Sequence, residues 1–139
     1  MIYKITKDKQ GKNIIMTNLK GKALMFHPLL NKSNAFTAAE REAFCLEGKL
    51  PPVCETLETQ TERAYQQYLS ASSDEAKSIF LHVLYNTNEI LFYALIRKYI
   101  NEITAKLYTP TVSMTVQHYS LEYRHPRGIF ISYKDKDKI

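Results

Sequence analysis

The sequence predicts a mainly α fold with short β elements at its two ends. Three observations lead there. Helix-opening signatures recur at Thr37-Ala38-Ala39-Glu40, Ser72-Ser73-Asp74-Glu75 and Asn86-Thr87-Asn88-Glu89. Between them apolar residues return every three to four positions. Alternating β-branched runs are confined to residues 2–15 and 128–133. The 139 residues suffice for one compact core.

Ile2-Tyr3-Lys4-Ile5 and Lys12-Asn13-Ile14-Ile15 flank the polar, Gly-terminated stretch Lys7-Asp8-Lys9-Gln10-Gly11, which predicts a β-hairpin within a basic N-terminal segment, residues 1–18. Leu19–Phe36 contains Gly21, Pro28 and Asn31-Lys32-Ser33-Asn34 and reads as extended chain and turns. The Thr37 capping box opens a helix expected to end near Gly48, before Pro51-Pro52. A second helix is expected from about Thr56 to Leu69, with Leu57, Ala64, Tyr65, Tyr68 and Leu69 as its apolar stripe. The Ser72–Glu75 box opens a third, burying Ile79, Phe80, Val83 and Leu84. Ile90–Ile103 is the most apolar stretch and predicts one central helix burying Ile90, Leu91, Ala94, Leu95, Tyr99 and Ile103.

Thr109 as N-cap and Pro110 at the first helical position start another helix, expected to run to about Tyr123. His125-Pro126-Arg127-Gly128 is a turn, and Gly128-Ile129-Phe130-Ile131-Ser132-Tyr133 reads as a strand before the charged tail Lys134–Lys138. A lone strand after a helical domain needs a partner for its backbone groups. Residues 128–139 therefore read as the start of a downstream α/β domain, residues 19–127 as the helical domain, and the chain as truncated.

Composition excludes several function classes. No apolar run approaches the roughly 18 residues of a membrane span, and Met1-Ile2-Tyr3-Lys4 does not begin a secretory signal, which together predict a cytoplasmic protein without a membrane partner. Cys45 and Cys54 form no C-x-x-C pair and read as reduced thiols. His27, His82, His118 and His125 have no zinc-ligand spacing to them. The net charge of +5 resides wholly in residues 1–22, where Lys4, Lys7, Lys9, Lys12, Lys20 and Lys22 face only Asp8. With no aromatic interleaving and no nucleic-acid motif, this lysine-rich turn reads as solvated surface. No nucleic-acid partner is expected.

Several segments, in order from about residue 21 to 133, resemble the N-terminal region of malic enzymes. They are Pro28-Leu29-Leu30-Asn31-Lys32 with Ala35-Phe36-Thr37 and Glu40-Arg41; Leu50-Pro51-Pro52-Val53 with Glu55-Thr56 and Gln60; and Asn88-Glu89 with Leu91-Phe92-Tyr93. The most specific is Leu107-Tyr108-Thr109-Pro110-Thr111-Val112, supported by Tyr123-Arg124 and Pro126-Arg127-Gly128-Ile129-Phe130-Ile131-Ser132. The chain departs from the family pattern at Ser113-Met114-Thr115, where Gly-Glu-Ala is usual, at His125, where a second arginine is common, and at Ser33, where glycine is common.

The resemblance implies oxidation of malate by hydride transfer to NAD or NADP. A divalent Mg²⁺ or Mn²⁺ then assists loss of carbon dioxide, and the enol is protonated to pyruvate by a tyrosine, here Tyr108. A phenol titrates near ~10 and needs help to release its proton. Tyr108 precedes a predicted helix N-cap, where the dipole and free amides favour an anion. The four glycines form no G-x-G, and Glu55-Glu58-Glu62 follows helical spacing as a solvated face. No cofactor or metal is therefore expected on this chain, and alone it should be inactive.

Arg63 and Glu55 align with an effector site that binds fumarate in some animal members. The second arginine of that site is here Thr87, so one guanidinium is left where a paired grip is needed, and fumarate regulation should be weak or missing. Arg63 itself is expected to pair with Glu58 or Glu62. Tyr65, Tyr68, Tyr85, Tyr93 and Tyr99 lie on or beside the apolar stripes, and a homodimer through the helical region is expected. The competing readings are malolactic enzyme, which makes lactate from malate, and a stand-alone helical interaction module.

Overall fold

A computed structural model of the chain describes residues 2–107, 117–123 and 131–138. The predicted hairpin is present: β1 (Tyr3–Lys7) pairs antiparallel with β2 (Asn13–Thr17), Tyr3 opposite Thr17 and Ile5 opposite Ile15. Asp8 closes the turn by accepting the Gln10 and Lys12 amides on Oδ1 at 2.8 and 2.9 Å. Gly11 takes φ +80°, a region glycine enters without a Cβ clash.

The segment expected to be only extended chain and turns contains a short helix, α1 (Gly21–Met25), and a 3-10 turn at Ser33–Ala35. Leu24 on α1 is fully buried with Leu30, Phe36 and Leu46 in an N-terminal cluster, so burial of one leucine organises a stretch too short for a visible period. Thr37 caps α2 (Ala38–Ala43) with the complete capping box. That helix stops at Ala43 rather than near Gly48. Cys45 turns left-handed at φ +56°, its amide reaches the Glu42 carbonyl and the Leu46 amide reaches Arg41 O, which is a Schellman closure with cysteine in the usual glycine place. Leu46 thereby enters the cluster, and its burial holds the early stop.

α3 (Leu57–Ser70), α4 (Asp74–Thr87), α5 (Glu89–Lys98) and α6 (Ile100–Leu107) form the second cluster, with Ala64, Tyr68, Leu81, Leu91, Phe92, Leu95 and Ile103 at its centre. α5 packs on α3, α4 and α6, as expected of the central helix. Three details differ from the sequence reading. On α3 the inward face is Gln60, Thr61, Ala64 and Tyr68, while Leu57 and Leu69 are exposed. Gln60 and Thr61 go inward because Gln60 Nε2 donates to Lys32 O and Thr61 Oγ1 to Leu57 O. On α4 the buried residues are Ser78 and Leu81, with Phe80 and Leu84 half-buried and Val83 exposed, and the cap is Ser73 through the Ala76 amide rather than a Ser72–Glu75 box.

The long apolar helix is broken at Tyr99, whose ring stacks on Tyr65 of α3, a tertiary contact that periodicity does not register. Asn88 separates α4 from α5 by accepting the Leu91 amide. Of the helix expected from Thr109 to about Tyr123, residues 109–116 lie outside the described residues; within the described part the chain turns at His118, which is the N-cap of a separate one-turn helix, α7 (Tyr119–Glu122). The predicted strand lies outside them at 128–130. At its other end Ile131 and Ser132 carry no strand, and Tyr133–Asp135 form a 3-10 turn, because Asp135 captures the Ser132 hydroxyl and its amide bonds Ser132 O. No described helix is long and apolar enough to cross a membrane.

Candidate functional site

The loop between the hairpin and α3 is fixed by one buried side chain. Arg41 donates Nε to Phe36 O at 3.0 Å, Nη1 to Pro51 O at 2.6 Å, and Nη2 to Asn34 O and Val53 O at 3.2 Å each. Five donors in a planar fork match several carbonyls at once, which lysine cannot do. The frame is tied to the helices by Asn31 Nδ2 donating to Thr87 O and by the Glu89 amide donating to Pro28 O. Lys32 holds Glu40 through both carboxylate oxygens at 2.7 Å. Burial opposes ionisation of Glu40, but Lys32 and the Thr37 amide outweigh it and hold the carboxyl below its ordinary value.

On this frame Glu55 sits one residue ahead of the α3 cap, and Arg63 lies two turns in. The two meet as a bidentate pair, Nη1 to Oε1 and Nη2 to Oε2, the latter at 2.6 Å. The partner of Arg63 is thus Glu55, and not Glu58 or Glu62 as the helical spacing suggested. The chain turns back before α3, placing the residue outside the helix closer to the guanidinium than those within it. Arg63 lowers the pKa of Glu55 and is raised in return. Asn34 Nδ2 approaches the same carboxylate at 3.4 Å. Thr87 turns its hydroxyl onto its own helix, toward Val83 O and Leu84 O.

The tyrosines form a second constellation. Tyr65 of α3 and Tyr99 at the α5–α6 break stack with centroids 3.6 Å apart and planes 3° from parallel. Tyr65 Oη donates to Glu102, Tyr99 Oη donates to Glu62 at 2.6 Å, and Lys98 grips Glu62 and lies 3.6 Å from Glu58. The Glu102 carboxylate pushes the Tyr65 phenol up to about 12, Glu62 raises Tyr99, and Lys98 with Tyr99 lowers Glu62. Tyr68 is buried in the core, which raises its phenol. Tyr85 and Tyr93 meet edge to face on the α4–α5 side, 5.9 Å apart. Sequence reasoning named the tyrosines but not Glu62 and Glu102 as their partners, nor Arg41 as the residue that fixes the loop before α3. The Glu62–Tyr99 and Glu102–Tyr65 partners are 37 residues apart, and no local signal carries that pairing.

Tyr108 lies outside the described residues, immediately after Leu107, which ends α6 and packs on the helical cluster. Among the described residues no three His, Cys, Asp or Glu side chains gather as metal ligands. A cavity of about 70 Å³ lined by Lys32, Ala35, Leu57, Asn88 and Ile90 is well below the several hundred Å³ of a substrate or cofactor pocket. What the described residues form is a packed helical support with an arginine–carboxylate latch and an aromatic–carboxylate face.

Comparison with known proteins defines the class. The family model described as malic enzyme, N-terminal domain, matches residues 85–139, which include the Tyr108-Thr109-Pro110 segment. An NAD-dependent malic enzyme of Vibrio parahaemolyticus is 51% identical over 119 residues, 86% of this chain and 21% of the relative. One from Aeromonas hydrophila is 46% identical over 132 residues, 95% of the chain and 23% of the relative. One from Shewanella halifaxensis is 49% identical over 119 residues, with 86% and 21% covered. The chain belongs to the malic enzyme family, in its N-terminal region. It spans about a fifth of the length of the curated relatives it matches.

Proposed function

We propose that this chain serves as the N-terminal part of a cytoplasmic NAD-dependent malic enzyme, which converts malate to pyruvate and carbon dioxide. The observation that carries the reading is the run Leu107-Tyr108-Thr109-Pro110-Thr111-Val112 inside the stretch that matches the family model. NAD and a divalent Mg²⁺ or Mn²⁺ would supply the hydride acceptor and the electrophile for decarboxylation. Their sites belong in this proposal to the four fifths of the relatives' length that the chain does not span, since the sequence has no G-x-G and the described residues gather no ligand set. NAD rather than NADP follows the printed names of the relatives.

The role assigned to Tyr108 is general acid. After decarboxylation the enol must gain a proton at carbon, and a phenol held at the start of a helix donates it, leaving a phenolate that the helix amides stabilise. The helical cluster holds Leu107, the residue before Tyr108 in the sequence. Removing the hydroxyl in the full-length enzyme, by Tyr108→Phe, should lower kcat by roughly 10²–10⁴-fold with little change in malate KM. The 139-residue chain by itself should show no turnover. Pyruvate rather than lactate as product separates this reading from malolactic enzyme.

Regulation by fumarate is weak or missing in this proposal. Both terminal nitrogens of Arg63 already bond Glu55, and Thr87 offers no second cation for a dicarboxylate. A homodimer through the helical region is part of the same proposal, supported by the stacked, partly exposed Tyr65 and Tyr99.

A further inference from the structure

The first turn of α4 reaches both sides of the stretch that carries Tyr108. Ser73 caps α4 through the Ala76 amide, so Asp74 and Glu75 stand where the helix dipole favours carboxylates. Lys106, in the last turn of α6, donates Nζ to Asp74 Oδ2 at 2.6 Å. His118, the N-cap of α7, brings Nδ1 to 3.4 Å from Glu75 Oε1. Adjacent residues of one helix therefore meet Lys106 and His118, which bracket residues 107–117 in the sequence.

Neither carboxylate is used as its own helix suggests. Lys77 is an i,i+3 neighbour of Asp74, yet its Nζ lies over the Tyr68 ring, 5.6 Å from the centroid. The Lys106 hydrogen bond, more than Lys77, holds the Asp74 carboxyl below its ordinary value against desolvation. Glu75 makes no capping box with Ser72 and meets His118 instead. These partners are 32 and 43 residues away in sequence. The platform under them is packed: Leu81 of α4 and Ile103 of α6 are fully buried together, with Leu107 against the same cluster.

We infer that Asp74 and Glu75 are positioning residues for Tyr108, holding Lys106 and His118 and so fixing both ends of the stretch that presents the phenol. The inference rests on the reading of Tyr108 as general acid. Tying a loop at both ends removes conformations in which its middle residues are misplaced. Transfer from a positioned donor is sensitive to displacements of about 1 Å, so the ties act on kcat. Ion pairs this exposed are individually weak, which limits each tie to a bias of up to about fivefold.

A double-mutant cycle on the full-length enzyme tests it. Asp74→Asn with Glu75→Gln lowers kcat by about tenfold and leaves malate KM nearly unchanged. Lys106→Met with His118→Gln breaks the same ties from the other side and gives a similar fall. Asp74→Glu keeps the carboxylate and loses less than Asp74→Asn. In a Tyr108→Phe background the paired substitutions change kcat by less than about twofold, because the donor they position is gone. Urea unfolding checks that each variant stays folded. An unchanged kcat in both paired variants, or an equal fall in both backgrounds, overturns the positioning role and leaves Tyr108 as general acid. Full turnover of Tyr108→Phe overturns both readings.

Discussion

The N-terminal and helical clusters bury similar apolar residues by different means. In the helical half, Leu81, Leu95 and Ile103 are fully buried by helices of eight to fourteen residues whose apolar stripes meet. In the N-terminal half, Leu24 and Leu46 are equally buried, yet α1 and α2 have only five and six residues. Isolated helices of that length are unstable, so the cover there depends on polar closures: the Arg41 fork, the Thr37 box and the Cys45 Schellman turn. One half is held by side-chain packing and the other by side chains bonded to main chain.

Substitutions should separate the two modes. Leu95→Ala, in the helical half, should have the largest effect, about 2–5 kcal/mol lost in urea unfolding, since a fully buried leucine leaves a cavity. Arg41→Lys should remove about 2–3 kcal/mol despite keeping the charge, because four carbonyls lose a matched donor set. If lysine there is neutral, the polar account of the N-terminal half fails. Thr37→Ala should lose about 1 kcal/mol by opening the capping box. Cys45→Gly should gain about 0.5–1 kcal/mol, because the left-handed turn no longer strains a Cβ.

The smallest effect is electrostatic. The carboxyls of Glu62 and Glu55 are lowered by Lys98 and Arg63, so the stability they supply is complete above the unfolded value near ~4.3 and is lost as pH falls through the lower folded value. Tyr65 runs the other way. Raised to about 12 by Glu102, it contributes fully below the unfolded value near ~10 and loses that contribution as pH rises through about 12. Thermal unfolding against pH should therefore fall at both ends, and Tyr65→Phe should shrink the alkaline fall, leaving the share of the likewise raised Tyr99 and Tyr68 phenols, while the acid fall stays as it was.

The same contrast governs what was legible in the sequence. The capping box at Thr37, the hairpin around Gly11 and the helices between Leu57 and Leu107 follow local rules, and residue type alone announces them. α1, the early end of α2 and the break at Tyr99 do not, because Leu24, Leu46 and the Tyr65–Tyr99 stack are fixed by contacts distant in sequence. The inward turn of Gln60 and Thr61 escaped an apolar count for a related reason: Thr61 bonds its own helix at Leu57 O, and Gln60 donates Nε2 across the fold to Lys32 O, though its buried Oε1 has no partner among the described residues. Of the candidate residues, the Arg63–Glu55 pair was visible as two members of one site, but their direct bidentate contact was not. The motif around Tyr108 was legible as a pattern of neighbours, independent of any helix period.

The most direct test of the account is the turnover of the full-length enzyme carrying Tyr108→Phe, measured as pyruvate formed from malate and NAD. The account predicts a fall of roughly 10²–10⁴-fold in kcat with malate KM nearly unchanged. Turnover equal to that of the unaltered enzyme would contradict it.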